Sequence, residues 1–138
     1  MEYVVNVETD EPGVLLTCPE VPEFHCGGDD LDDALLHALE MLETTFSIYM
    51  DARKLIPLPR KAKTGEITLR LPAQISAKVL LHNAMVTAGV RKVELSKRMG
   101  GLSGTQIERL LDLRHSTKLE TLEAALAVVG CQLELSVS

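Results

Sequence analysis

The stretch "KVELSKRMGGLSGTQIERLL" (residues 92–111) contains two amphipathic helical patterns separated by a pair of glycines. Gly100 and Gly101 fall where a helix C-terminus is expected, and Ser103 is a suitable N-cap for the second helix. The pattern favours a helix-turn-helix, in which the first helix braces the second and the second enters the major groove of DNA. Apolar residues at helical spacing predict the inward face: Val93, Leu95, Met99, Ile107, Leu110 and Leu111.

The outward positions of this helical pair are mostly basic or polar. Residues 91–118 include seven Lys and Arg against three Asp and Glu, a surplus suited to phosphates. Gln and Arg side chains can make paired hydrogen bonds to adenine and guanine edges, respectively. The competing interpretation is a helical pair in an all-α core with solvated lysines. We predict that the DNA-contacting residues are Lys92, Lys97, Ser103, Thr105, Gln106, Arg109 and Arg114.

An alternative DNA-binding pattern lies just upstream, in "EITLRLPAQISAKVLLHNAMVTAG" (residues 66–89). It looks like the start of a ribbon-helix-helix, in which strands from two chains pair and present side chains such as Thr68 and Arg70 to the major groove. That interpretation leaves the later helical patterns and a last predicted strand, "CQLELSV" (residues 131–137), unexplained. We therefore expect "EITLRL" (residues 66–71) to pair with this last strand, with Arg70 and Glu134 on the polar faces. Pairing between chains would build a dimer, which suits a palindromic operator.

The N-terminal part predicts a β-β-β-α unit. "YVVNVE" (residues 3–8) and "VLLTC" (residues 14–18) flank a turn, and "EFHC" (residues 23–26) is a third strand. Asp29 and Asp30 are candidate N-caps of the helix that follows. The prolines of "LIPLPRKAKTGE" (residues 55–66) predict an extended connection. The expected fold class is α+β, with an N-terminal domain (1–57), a linker (58–65) and a helical domain with flanking strands (66–138).

Charge is divided unevenly along the 138 residues. The net charge is -6, yet residues 1–60 carry thirteen Asp and Glu against three Lys and Arg, whereas residues 61–138 carry seven against eleven. This asymmetry fits a basic part that meets phosphate and an acidic part that docks a basic partner, and it fits equally two ordinary solvated surfaces. No apolar run approaches the ~20 residues of a membrane span. Three cysteines without C-x-x-C spacing fit a reducing compartment, so we expect a cytoplasmic protein.

Catalytic, cofactor and metal sites are not expected. Consecutive aspartates at a helix start, as in "GGDDLDD" (residues 27–33), point around the axis and suit capping better than a two-metal site. A nuclease that uses Asp29 and Asp33 remains the enzymatic alternative. Cys18, His25 and Cys26 lack a fourth zinc ligand at a convincing spacing. No nucleophile paired with a base and no glycine-rich phosphate loop is present.

Nearly the whole chain resembles a HicB-type antitoxin of a HicA/HicB toxin-antitoxin system. The N-terminal likeness rests on the strand pair, a "P-x-x-P" entry to the third strand, a Gly-Asp helix start with "DAL", and a closing "IPLP" (residues 56–59). "ELSKRMG", "IERLLDLRHSTK" and "LEAALAVVG" look like the helix-turn-helix domain found in part of that family. The turn in "MGGLSGTQI" is one residue longer than the common pattern, so the base-contacting residue among positions 103–106 stays open. The family pattern selects Thr105, Gln106 and Arg109.

The resemblance implies a type II antitoxin. Its N-terminal domain would have a small, partly degraded ribonuclease-H-like fold. This domain would cover the active site of a HicA toxin, a small basic mRNA-cleaving ribonuclease with a catalytic histidine. Its C-terminal domain would bind operator DNA as a dimer or higher oligomer and repress its own operon. A stand-alone transcription regulator is the alternative from another functional class.

Overall fold

The computed structural model describes the backbone of residues 1–138 and all side chains except that of Asp10. The chain forms two compact units, one of Met1–Asp51 with Ile56–Ala73 and the other of Ala52–Leu55 with Gln74–Ser138. The α+β class is confirmed. The strands are β1 (Glu2–Asp10), β2 (Gly13–Cys18), β3 (Val21–Gly28) and β4 (Ile67–Arg70), and the helices are α1 (Leu31–Asp51), α2 (Ala73–Ala88), α3 (Lys92–Arg98), α4 (Gly104–Leu111) and α5 (Leu119–Val128).

The first unit is a four-stranded antiparallel sheet in the order β3-β2-β1-β4, packed against α1. Period-2 alternation in β1 places Tyr3 on the face that meets the helix. Its ring lies 5.4 Å from that of Phe46 between centroids, and both side chains are fully buried. The Tyr3 hydroxyl donates a 2.7 Å hydrogen bond to the Pro57 carbonyl. This bond ties the extended segment after α1 back to the sheet.

The predicted pairing of residues 66–71 with residues 131–137 is wrong. β4 pairs antiparallel with β1, in a register that sets Arg70 opposite Glu2 and Leu69 opposite Tyr3. Residues 131–138 form no strand. The charge complement expected from Glu134 therefore comes from Glu2, which forms a cross-strand pair of opposite sign. β4 lies in the first unit, after residues 58–65, the predicted domain linker.

The start of α1 confirms the predicted capping by aspartate. The Asp30 carboxylate accepts a 2.8 Å hydrogen bond from the Asp33 amide, and the Asp33 carboxylate accepts a 2.9 Å bond from the Asp29 amide. These carboxylates therefore satisfy amides at the helix start, as capping residues do. Just before the cap, Gly28 passes so close to α1 that a Cβ there would lie 2.4 Å from the Ala34 nitrogen.

The second unit is helical, with a core supplied by α2 to α5. Its fully buried leucines include Leu81 of α2, Leu95 of α3, Leu110 of α4 and Leu122 of α5. Residues 52–55 belong to this unit because the Lys54 carbonyl accepts a 2.7 Å hydrogen bond from His82 Nε2. The pKa of His82 is lowered, chiefly by burial. No helix in the described part of the chain is long and apolar enough to cross a membrane.

The predicted inward face of the helical pair is confirmed except at Val93. Leu95, Ile107 and Leu110 are buried, and Met99 and Leu111 are partly buried against the same core. Val93 is 69% exposed and lines a groove of about 310 Å³ between α3 and α4. Residues two apart lie about 200° apart around a helix, so Val93 and Leu95 cannot share one face.

We predict that Gly28→Ala destabilises the protein by about 1 to 3 kcal/mol, because the new methyl group would collide with the backbone of α1. Gly27→Ala is the matched control. Its Cβ would meet only the Val14 carbonyl at 3.8 Å, and its cost should stay within about 0.5 kcal/mol. Urea unfolding monitored by circular dichroism measures both changes. Equal stabilities of the two variants would contradict the close approach of β3 to α1.

Candidate functional site

The turn between α3 and α4 is held by backbone and side-chain hydrogen bonds. Gly100 and Gly101 adopt φ of 87° and 90°, a left-handed conformation that favours glycine. The Gly101 amide donates to the Ser96 carbonyl at 2.8 Å, and the Ser96 hydroxyl donates across the turn to the Leu102 carbonyl at 2.5 Å. The predicted glycine break is confirmed. Ser96 is a residue that the sequence interpretation did not select.

The N-terminus of α4 is closed by a capping box. The Ser103 hydroxyl accepts a 3.2 Å hydrogen bond from the Gln106 amide, and the Gln106 side-chain oxygen accepts a 2.8 Å bond from the Ser103 amide. Two amides without intrahelical partners are thereby satisfied. Ser103 is confirmed as an N-cap. Both residues belong to the predicted DNA-contacting set, and in this structure both are engaged in starting the helix.

The basic residues of α3 differ in their partners. The Lys92 ammonium lies 2.7 Å from a Glu108 carboxylate oxygen, an ion pair that links α3 to α4 across the exposed surface. Arg98 pairs with Glu94 at 3.1 Å and also donates to the Val128 carbonyl at the end of α5. Exposed pairs of this kind contribute little to stability. They do fix where these cationic side chains lie.

Thr105 and Arg109 share one exposed face of α4, since residues four apart lie above one another on a helix. Lys97 of α3 and Arg114, after α4, are also exposed. Among the residues whose side chains are described, no carboxylate lies within ion-pair distance of Lys97 or Arg109. Their charges are therefore available to an anionic ligand.

Lys78 of α2 is fully buried and holds the end of α4. Its ammonium donates to the carbonyl oxygens of Arg109 at 3.0 Å, Asp112 at 2.7 Å and His115 at 2.5 Å. The last carbonyls of a helix have no intrahelical donor, and a buried ammonium needs such acceptors for its three protons. Burial lowers the Lys78 pKa, and Asp112 opposes that shift. The sequence interpretation missed this residue.

Gln74, one helical turn before Lys78, holds the loop that follows α4. Its side-chain amide donates to the Thr117 carbonyl at 2.6 Å and accepts from the Thr117 amide at 3.0 Å. These two hydrogen bonds connect the Gln74 side chain of α2 to the backbone of the loop, in the way that paired strands connect two backbones. The end of α4 and the connection to α5 are therefore both fixed by side chains of α2.

The first unit has a strongly acidic sequence. Residues 1–51 contain thirteen Asp and Glu and no Lys or Arg. Arg60, in the segment after α1, pairs with Glu66 at 2.5 Å and with Glu20 at 3.5 Å. The Arg60 guanidinium is the main reason that the pKa of Glu66 falls to about 2. Most other carboxylates of the unit face solvent.

The alternative sites considered from sequence do not assemble. Among the described side chains, no three His, Cys, Asp or Glu residues come together in a group that could hold a metal ion. Cys18 and Cys26 are buried free thiols, and burial raises the pKa of both. His25 is exposed.

The family described as "HicB_like antitoxin of bacterial toxin-antitoxin system" matches residues 2–80, which span the sheet, α1 and the first half of α2. The chain belongs to the HicB-like antitoxin family. The match includes β4, so the family region agrees with the first unit in ending beyond that strand.

Curated HicB relatives match nearly the full chain, including α3 to α5. The chain is 42% identical over 137 residues to "Antitoxin HicB" of Pseudomonas fluorescens, covering 99% of this chain and 93% of the relative. It is 40% identical over 135 residues to "Antitoxin HicB 2" of Photorhabdus laumondii, covering 98% and 95%. It is 30% identical over 136 residues to "Antitoxin HicB" of Escherichia coli K12, covering 98% of both.

We predict that Lys78→Met in this HicB-like antitoxin lowers the free energy of unfolding by about 2 to 4 kcal/mol, because three carbonyls lose a charged donor. Lys118→Met makes the same chemical change at an exposed position and should cost less than about 0.5 kcal/mol. Urea unfolding monitored by the helical dichroism signal measures both. A loss below about 1 kcal/mol for Lys78→Met would contradict its role in holding α4.

Proposed function

We propose that this antitoxin neutralises a HicA-type, mRNA-cleaving ribonuclease by covering its active site with the first unit. We further propose that it represses its own operon by binding operator DNA through α3 and α4 as a helix-turn-helix. The observation that carries the proposal is the match to HicB antitoxins from three genera over nearly the entire chain. The protein would act without catalysing a reaction, in the cytoplasm, where mRNA and operator DNA are both found.

The charge of the first unit supports neutralisation of a ribonuclease. An enzyme that cleaves mRNA must attract a polyanion, so its substrate surface carries Lys and Arg. A unit whose first 51 residues contain no Lys or Arg offers carboxylates to such a surface. The same charges would repel RNA and DNA, which favours a protein partner.

The contacts within the second unit support DNA binding through α4. A recognition helix must present fixed side chains to base edges. The capping box holds one end of α4, Lys78 holds the other, and Thr105 and Arg109 lie exposed between them. β4 pairs with β1 of the same chain, and three further helices follow α2, which favours helix-turn-helix over ribbon-helix-helix binding.

Self-association completes the proposal. A dimer, or a higher oligomer built from dimers, would match a palindromic operator through two copies of α4. The pairing of β4 within its own chain means that the dimer contact predicted between residues 66–71 and 131–137 no longer supports this step.

The antitoxin role is tested by co-expression with the small protein encoded beside its gene. We expect that protein to arrest growth alone, the antitoxin to restore growth, and the two to co-purify as a stable complex. The control is a HicB-like antitoxin that is encoded in a different operon and produced at the same level. If the chain binds its own operator but neither rescues growth nor co-purifies, the function is that of a stand-alone transcription regulator.

For DNA binding, we predict that Arg109→Ala weakens specific binding to the operon's upstream DNA by about 1 to 3 kcal/mol. Lys97→Ala should weaken binding to all sequences alike and reduce the salt slope by about one, because Lys97 would contact phosphate. Lys54→Ala removes an exposed charge of the second unit outside α3 and α4 and serves as the control. Fluorescence anisotropy at several salt concentrations measures each effect.

Gln106 needs a separate design, because its side chain also caps α4. Gln106→Glu keeps an acceptor for the Ser103 amide, so the capping box and the stability should persist. The new carboxylate cannot donate a hydrogen bond to adenine and repels phosphate. The affinity for operator DNA should therefore fall in Gln106→Glu at least as far as in Gln106→Ala, which removes the side-chain amide. Unchanged operator affinity in both Gln106→Glu and Arg109→Ala would refute the assignment of α4 as the recognition helix.

A further inference from the structure

The outward face of α1 combines exposed apolar side chains with carboxylates. The inward face of this helix buries Ala34, Ala38, Leu42 and Phe46 against the sheet. On the outward side, Leu36 is 76% exposed, Ile48 64% and Met41 42%. Large aliphatic side chains at this exposure add little to the stability of the unit, because most of their surface stays in water. Together they indicate an interaction surface.

Leu36 and Ile48 lie at the two ends of a row of residues spaced four apart along α1, and Met41 lies beside that row. Twelve residues separate Leu36 from Ile48, which corresponds to about 18 Å along the helix axis. Glu40 and Thr44 are exposed between them on successive turns, and Asp51 is exposed at the end of the helix. We call the surface formed by Leu36, Glu40, Met41, Thr44, Ile48 and Asp51 the outer α1 face.

The carboxylates of the outer α1 face have no basic residues beside them on the same helix. An exposed helix face normally alternates acidic and basic residues at i,i+4 spacing, which stabilises the helix by a few tenths of a kcal/mol per pair. α1 contains no Lys or Arg, and the His37 imidazole lies 3.7 Å from the Asp33 carboxylate. The basic residue nearest in sequence, Arg53, belongs to the second unit.

Resting on the proposed function, we infer that the outer α1 face is the docking surface for the toxin and occupies the basic surface on which the toxin binds RNA. Complementary potentials require a partner that is basic around its contact area, which an RNA-cleaving enzyme must be at its substrate surface. Leu36, Met41 and Ile48 supply apolar contacts to the interface, and the Glu40 and Asp51 carboxylates meet Lys and Arg of the partner. The acidic helix thus competes with RNA phosphates for the same cations.

The test measures binding of full-length antitoxin variants to a catalytically inactive HicA-type toxin encoded in the same operon. Leu36→Lys and Ile48→Lys place a cation and remove an apolar contact, and each should weaken the complex at least tenfold. Leu58→Lys makes the same change at a 52% exposed leucine of the same unit outside α1, and it should stay within twofold of wild type. Glu8→Lys tests the other face of the sheet and should behave similarly.

Two further readouts keep the result interpretable. Operator affinity and thermal stability should be unchanged in the α1 variants, because the substituted side chains are exposed and lie outside the second unit. Glu40→Gln, a milder change, should weaken the complex at low salt and have less effect at high salt, as screening removes its contribution.

Four outcomes separate the hypotheses. Selective weakening by the α1 variants supports the outer α1 face as the docking surface. If the wild-type antitoxin binds the toxin and the α1 variants bind it equally tightly, or if Glu8→Lys weakens binding instead, this inference is overturned and the antitoxin function stays intact. Loss of a homo-oligomer, with toxin binding preserved, would assign the face to a second copy of the chain and also overturn it. Absence of any complex with wild type overturns both proposals.

Discussion

The buried ammonium of Lys78 is the contact on which the arrangement of α4 depends. An unpaired charge in a protein interior is strongly unfavourable, so this side chain is tolerated only where three carbonyls converge on it. Those carbonyls belong to the end of α4 and the turn beyond it, and Gln74 binds the next loop from the same face of α2. α2 therefore acts as a template that sets where α4 stops and in which direction the chain leaves it.

The features that sequence predicted correctly are those determined by neighbouring residues. The helix end at Gly100 and Gly101 follows from left-handed backbone conformations that glycine adopts without strain. Caps at Asp30 and Ser103 depend on side chains that accept hydrogen bonds from amides three residues away. The charge asymmetry likewise identified which unit has the acidic sequence.

The errors and omissions concern relations that a linear pattern does not specify. Alternation predicted a strand at residues 66–71 but could not choose between β1 and the C-terminal segment as its partner, because both supply β-compatible residues and a carboxylate opposite Arg70. Lys78 was overlooked because a lysine is ordinarily solvated. Its apolar neighbours on both sides, Ala77 and Val79, were the available signal that this part of α2 is buried all round. Its carbonyl partners, more than 30 residues away, could not be predicted.

The path of the chain between its two units has a consequence for how such proteins can be recombined. The backbone passes from one unit to the other after residues 51, 55 and 73, so no cut in residues 58–65 separates them cleanly. In a gene fusion joined there, β1 and β4 would come from different proteins, and so would residues 52–55 and α2. Exchange of the second unit between relatives therefore requires a junction after residue 73, together with residues 52–55 from the same relative as α2.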